Sequence, residues 1–165
     1  MTDNILQDQP SFEISKDFRA SVAELELSLR KFADGENIVV GTSDKPIVSE
    51  SSVLPIEHFF MDGVYVRKMT MRKDSAVIGA VHKHLHMCFL TKGCVLVSDG
   101  TGSKEYKAPC HIIATPGVQR VLYAQENSVW YNTHKNPGNI QDVSKLEEEI
   151  VSLNYEEYEE YIKNK

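Results

Sequence analysis

Apolar residues recur at steps of three and four from Ser15 to about Phe32. Phe18, Val22, Leu25, Leu29 and Phe32 fall on one helical face. Ser15 offers a cap and Asp34-Gly35 a stop, so the pattern predicts an amphipathic helix. Its stripe suits packing on the domain, or on the same stripe of a second subunit, better than a membrane. Ahead of it, residues 1–14 are polar, carry Pro10 and read as an arm without structure of its own. Residues 36–55 mix short β-rich pieces such as Ile38-Val39-Val40 with polar connectors, ending at Pro55. From Glu57 to about Lys135 the period changes. Short runs of β-formers alternate with turn signals at Asp62-Gly63, Lys73-Asp74, Lys92-Gly93, Asp99-Gly100, Pro109, Pro116-Gly117 and Glu126-Asn127. Strands so regularly punctuated, with no helix-length pattern between them, predict an all-β sandwich or barrel rather than a parallel α/β sheet.

The tail returns to helical periodicity. Ser144 and Glu147 stand at capping-box spacing, and Leu146, Ile150 and Leu153 continue one face. A second short helical segment gathers Tyr155, Tyr158 and Tyr161 or Ile162, read as packing anchors with wet hydroxyls. The resulting organisation is an arm and helix over 1–56, a β-barrel over 57–135 and an acidic helical segment over 136–165.

Composition changes this picture little. The chain has 165 residues, enough for one domain with a real core, and its 41% hydrophobic and 25% charged content is ordinary for a globular protein. No apolar run is long enough to span a bilayer, and the N-terminus lacks the basic-then-apolar pattern of a signal peptide. Three cysteines, Cys88, Cys94 and Cys110, fit a reducing compartment better than a disulfide framework, which points to the cytoplasm. The net charge is −6, with a glutamate-rich C-terminus that reads as a solvated helix face. That balance argues against nonspecific nucleic-acid binding, which depends on Lys and Arg meeting phosphates.

Candidate chemistry is concentrated in Gly79-Ala80-Val81-His82-Lys83-His84-Leu85-His86-Met87-Cys88-Phe89-Leu90-Thr91-Lys92-Gly93. In a strand, residues i, i+2 and i+4 share a face, so His82, His84 and His86 are expected to point the same way, with Cys88 continuing that face. Such a row suits a metal site or a polar ligand pocket. The opposite face, Val81, Leu85, Met87 and Phe89, is apolar and needs a helix or a second subunit over it. A one-residue change of register would instead turn the histidines outward and make the apolar row the core.

This segment, followed by Ala108-Pro109-Cys110-His111-Ile112-Ile113-Ala114-Thr115-Pro116-Gly117-Val118-Gln119-Arg120 and the strand Ser128–His134, resembles the cupin superfamily. The resemblance covers about residues 57–135. It implies a mainly β fold: a small antiparallel jelly-roll barrel, here with an N-terminal amphipathic helix and C-terminal helices, whose lumen holds a ligand or metal. Two of the usual ligand positions depart from the pattern. A cupin glutamate would follow the second histidine by four positions, where Cys88 stands; counting back from Gly93 puts His86 in its place. Arg120 stands where the last cupin histidine is expected, and its guanidinium does not ligate metals.

The candidate metal ligands are therefore His82, His84, His86 and the distant His134, for zinc, iron, manganese or nickel, with Cys88 as a soft ligand. Arg120, Cys88 and Tyr123 are candidate contacts for a small or anionic ligand. Arg120 is equally suited to an ion pair with Glu57 or Glu126, or to the surface. Three functions fit: a metal-dependent cupin enzyme such as a dioxygenase, isomerase or epimerase; a binding module for an anion; or a structural protein on a cupin scaffold. Ala-Pro, Pro-Gly-x-x-Arg and Trp-x-x-x-His also resemble small cupin-like proteins of tailed bacteriophages, which would imply a virion location. A homo-oligomer is expected, with neither nucleic acid nor membrane as partner. No nucleophile elbow and no glycine-rich phosphate loop are present.

Overall fold

The computed structural model describes residues 16–34, 38 and 54–165. The expected N-terminal arm, the Ser15 cap and most of the 36–55 connector lie outside the described residues. The first helix, α1, runs Lys16–Lys31. Ten strands follow: β1 (Ile56–Met61), β2 (Val64–Met71), β3 (Ala76–Ile78), β4 (Val81–His82), β5 (His86–Lys92), β6 (Cys94–Ser98), β7 (Ser103–Lys107), β8 (Cys110–Ala114), β9 (Val121–Ala124) and β10 (Ser128–Lys135). The tail contributes α2 (Val143–Ile150), β11 (Val151–Ser152) and α3 (Tyr155–Lys163).

Two antiparallel sheets make the jelly-roll barrel. One has the order β1-β2-β10-β5-β8 and the other β3-β9-β6-β7, while β4 pairs with β11 as a small third sheet. Alternation along the strands sets which side chains enter. His86, Cys88 and Leu90 of β5 are buried, and the intervening Met87 and Phe89 are 36% and 37% exposed, so the His-bearing side of this strand faces inward. Met71, Leu90, Val95, Ala114, Ala124 and Trp130 belong to the core between the sheets. The turn at Gly93 needs glycine. Its φ is +87°, and a Cβ there would lie 2.6 Å from the Asn127 carbonyl oxygen.

A second apolar cluster, Tyr65, Leu146, Ile150 and Val151, seats α2 and β11 against the barrel. The tail differs from its sequence pattern in two ways. The N-cap of α2 is Asp142, whose carboxylate accepts from the Lys145 amide at 3.3 Å, not Ser144. The helix then ends at Ile150, and Val151-Ser152 extend as a strand, so Leu153 does not continue its face. Helix α3 has Asn154 as cap, accepting from the Glu157 amide, while Glu157 returns to accept from the Leu153 amide. Tyr155 donates to the Gly117 carbonyl at 3.1 Å, and Tyr158 packs on Gly117.

Helix α1 is tied to α3: Arg19 pairs with Glu159 at 2.7 Å and lies over the Tyr155 ring. Val22 is buried, but Leu25 is 41% and Phe32 70% exposed, so the apolar stripe is only partly used. Nor is the outer face of the larger sheet sealed, with Phe59, Met61 and Ile113 exposed beside Met87 and Phe89. No helix among the described residues is long and apolar enough to cross a membrane.

Candidate metal centre

The expected continuous His-rich strand is broken. β4 ends at His82 and β5 begins at His86, with a bend over residues 83–85. The tail fixes this break. Val151 stands opposite His82, the Lys83 amide donates to the Ile150 carbonyl at 2.9 Å, and the Gly117 amide donates to the His82 carbonyl at 2.8 Å. Across the bend His84 turns away. Its ring meets the Glu149 carbonyl at 3.0 Å and the edge of Tyr161, apart from the other two histidines. The expectation of three histidines on one strand face is corrected to His82 and His86, with His84 outside.

The third member comes from β10. Thr133 stands opposite Met87, so the next residue, His134, lies beside His86. Ring centroids are 4.0 Å apart for His82–His86, 4.5 Å for His86–His134 and 5.3 Å for His82–His134. One nitrogen from each ring falls within 4.8 Å of the others. His86 and His134 are buried behind, and His82 also lines an adjoining cavity.

Protonation state decides what such a cluster does. Burial, reinforced by Arg67, favours the neutral form of all three imidazoles; neighbouring rings add to this for His82 and His134, while the His84 carbonyl opposes it at His86. His82 is held well below the ordinary histidine value, His86 is lowered to about 4 and His134 to about 2. The His86 Nδ1 contacts the His84 carbonyl at 3.2 Å. A carbonyl only accepts, so Nδ1 carries the proton and Nε2 the lone pair. That Nε2 and the His82 Nδ1 are buried with no hydrogen-bond partner. Neutral rings, a tautomer fixed by a backbone carbonyl and buried nitrogens left without partners are what an imidazole-bound cation requires. The residues present fit a metal.

The cavity beside the cluster is about 190 Å³ and is lined by Leu54, Ile56, Met69, Leu122 and Trp130 together with polar groups. Arg120 is among them and pairs with neither Glu57 nor Glu126: Glu57 binds Lys68, and no ion pair of Arg120 occurs among the described residues. Cys88 also lines the cavity, but burial raises its thiol to about 11 against the opposing pull of Arg120, and its Sγ–H donates to Asn132 Oδ1 at 3.1 Å. It stands there as a neutral thiol, outside the histidine cluster. Tyr123 does not reach the cavity; its hydroxyl donates to Asp74 on the surface.

Two lining residues escaped the sequence pattern. Arg67, in the middle of β2, forms an ion pair with Glu147 of α2, and its Nε donates to the Tyr65 hydroxyl at 3.2 Å. Glu147 lies four residues after Val143 and three before Ile150, so it is a charge on the apolar face of α2. That misplaced charge was the available signal.

No protein-family model matches the chain, and no curated protein matches it in sequence. Solved structures do. An RmlC-like cupin from Shewanella frigidimarina NCIMB 400 is similar at 16% identity and TM-score 0.46, over 54% of this chain and 81% of that one. A cupin 2 conserved barrel domain protein from Salinispora arenicola CNS-205 is similar at 9% identity and TM-score 0.45, over 56% and 84%. A salicylate 1,2-dioxygenase from Pseudoaminobacter salicylatoxidans is similar at 8% identity and TM-score 0.49, over 73% of this chain and 32% of that one.

Proposed function

We propose that this barrel is a metal-binding protein whose ion is held by His82, His86 and His134 and serves a small ligand entering from the adjoining cavity. The convergence of three neutral imidazoles, two with buried nitrogens that bond to nothing, carries the reading. An all-imidazole donor set suits zinc, iron or nickel better than manganese, which favours carboxylates and carbonyls. Three protein ligands leave a position open, as in catalytic sites rather than closed structural ones. Bound there, the ion supplies Lewis acidity toward a ligand or water. The chain's own contribution is to keep the three rings unprotonated, to orient His86 through the His84 carbonyl, and to wall the site with apolar side chains that thin out water.

Elemental analysis of the full-length protein, with cobalt(II) titration followed by its visible absorption, tests the reading. One equivalent of metal is expected, with cobalt bands of nitrogen coordination. Protein that carries no metal and gives no cobalt spectrum would sink it.

A further inference from the structure

Charge balance around the cavity identifies what enters it. Its walls carry three ionised side chains, Arg67, Glu147 and Arg120, and Arg67 is already matched by Glu147. Arg120 is therefore left with its charge unmatched among the described residues. Its guanidinium has only a 3.5 Å contact to the Ile113 carbonyl and a 4.0 Å contact to the Cys88 sulfur. A planar fork of donors with so few acceptors is prepared for a bidentate anion. A cation on the histidines would add to the same positive balance.

The rest of the wall sets the anion's shape. Leu54, Ile56, Met69, Leu122 and Trp130 surround the space next to Arg120. An apolar cavity of about 150 Å³ accommodates benzene, so about 190 Å³ holds one ring or a short chain with a single acidic group. It is below the size range of about 300–1,000 Å³ typical for larger ligands, so the space beside Arg120 suits a body smaller than a nucleotide or sugar nucleotide. An inorganic oxyanion would leave the apolar wall unused.

We propose that the ligand of this cavity is a small organic carboxylate with an apolar body, its carboxylate on the Arg120 guanidinium and its body against Leu54, Ile56, Met69, Leu122 and Trp130. This rests on the metal-site reading for what the ligand meets, but not for the anion preference itself.

Calorimetric titration of the full chain, metal-free and cobalt-loaded, with benzoate, its neutral counterpart benzamide, hexanoate and inorganic phosphate tests the assignment. Benzoate or hexanoate is expected to bind at least tenfold tighter than benzamide and than phosphate. In Arg120→Gln that preference falls to within twofold, while the cobalt spectrum stays as in the wild type. Equal binding of benzoate and benzamide, tighter binding of phosphate, or no binding of either carboxylate at millimolar concentration overturns the proposal. So does an Arg120→Gln protein that keeps the preference. The wild-type comparison needs no variant; should Arg120→Gln fail to fold, Arg120→Lys, which keeps charge without the fork, is expected to weaken benzoate at least fivefold, and unchanged affinity counts against the idea. A protein without metal that still prefers benzoate removes the metal-site reading and leaves this one standing. A protein with metal and no such preference does the reverse.

Discussion

At the scale of single residues, the histidines divide by what their backbones do. A spacing of two places side chains on one face only while the strand continues, and residues 83–85 interrupt it without a glycine or proline to announce the bend. His84 therefore contributes its carbonyl, which fixes the His86 tautomer, and not its ring. His84→Ala keeps that carbonyl and is expected to bind cobalt within about threefold of the wild type. His82→Ala, His86→Ala and His134→Ala each remove a donor, and each should lower cobalt affinity about 100-fold or more, since even loss of an outer partner costs about 10- to 100-fold. Equal losses for all four variants in spectroscopic titration would refute the division. His134 was legible because the barrel pattern brings a late strand beside an early one. Tyr123 was not legible as a surface residue, since on β9 alternate positions face opposite ways and only the observed register, in which it stands opposite Ala76 and Leu96, fixes its side.

At the scale of elements, α2 is joined to the barrel by an ion pair that is largely out of water. The Arg67 and Glu147 side chains are 20% and 13% exposed. Burial raises the Glu147 carboxyl, and the adjacent guanidinium opposes that rise. Breaking such a pair strands a charge, whereas replacing both partners with apolar groups removes the desolvation cost along with the attraction. Glu147→Ala is expected to lower the unfolding free energy by about 2–4 kcal/mol. The double variant Arg67→Met/Glu147→Leu should return to within about 1 kcal/mol of the wild type. Urea unfolding of the three proteins checks this, and an additive double variant would contradict it. The helices themselves were readable from periodicity: α1 runs Lys16–Lys31, close to the span predicted from Ser15 to about Phe32. The short β11 was not, because two residues carry no period and their strand character comes entirely from pairing with β4.

At the scale of the whole molecule, the buried histidines couple stability to pH. Their values in the fold lie below the ordinary 6.5, so between those values the unfolded chain binds protons that the folded chain does not. The metal-free protein is thus most stable above about pH 6.5 and loses stability as pH falls toward 4, by at most about 1.4 kcal/mol per pH unit for each histidine. Urea midpoints measured from pH 7.5 to 4.5 should show this decline, shallower in His134→Asn by one histidine's share. A flat profile in the wild type would show that the rings are not buried neutral. The antiparallel barrel was legible from turn spacing, whereas the strand order was not, because pairings such as β5 with β8 and β2 with β10 join segments whose local sequences are indifferent to their partners.

The pairing of β4 with β11 also orders events in time. His82 is held by Val151, and Lys83 by Ile150, from the far end of the chain. Contacts between distant segments form after local ones because the intervening loop must first close. On a translating ribosome the two large sheets are complete in sequence by Lys135, while the residues that seat His82 are still to be synthesised. The seat of His82 is therefore a late contact of the fold, set only once a segment from beyond the two large sheets has closed onto β4.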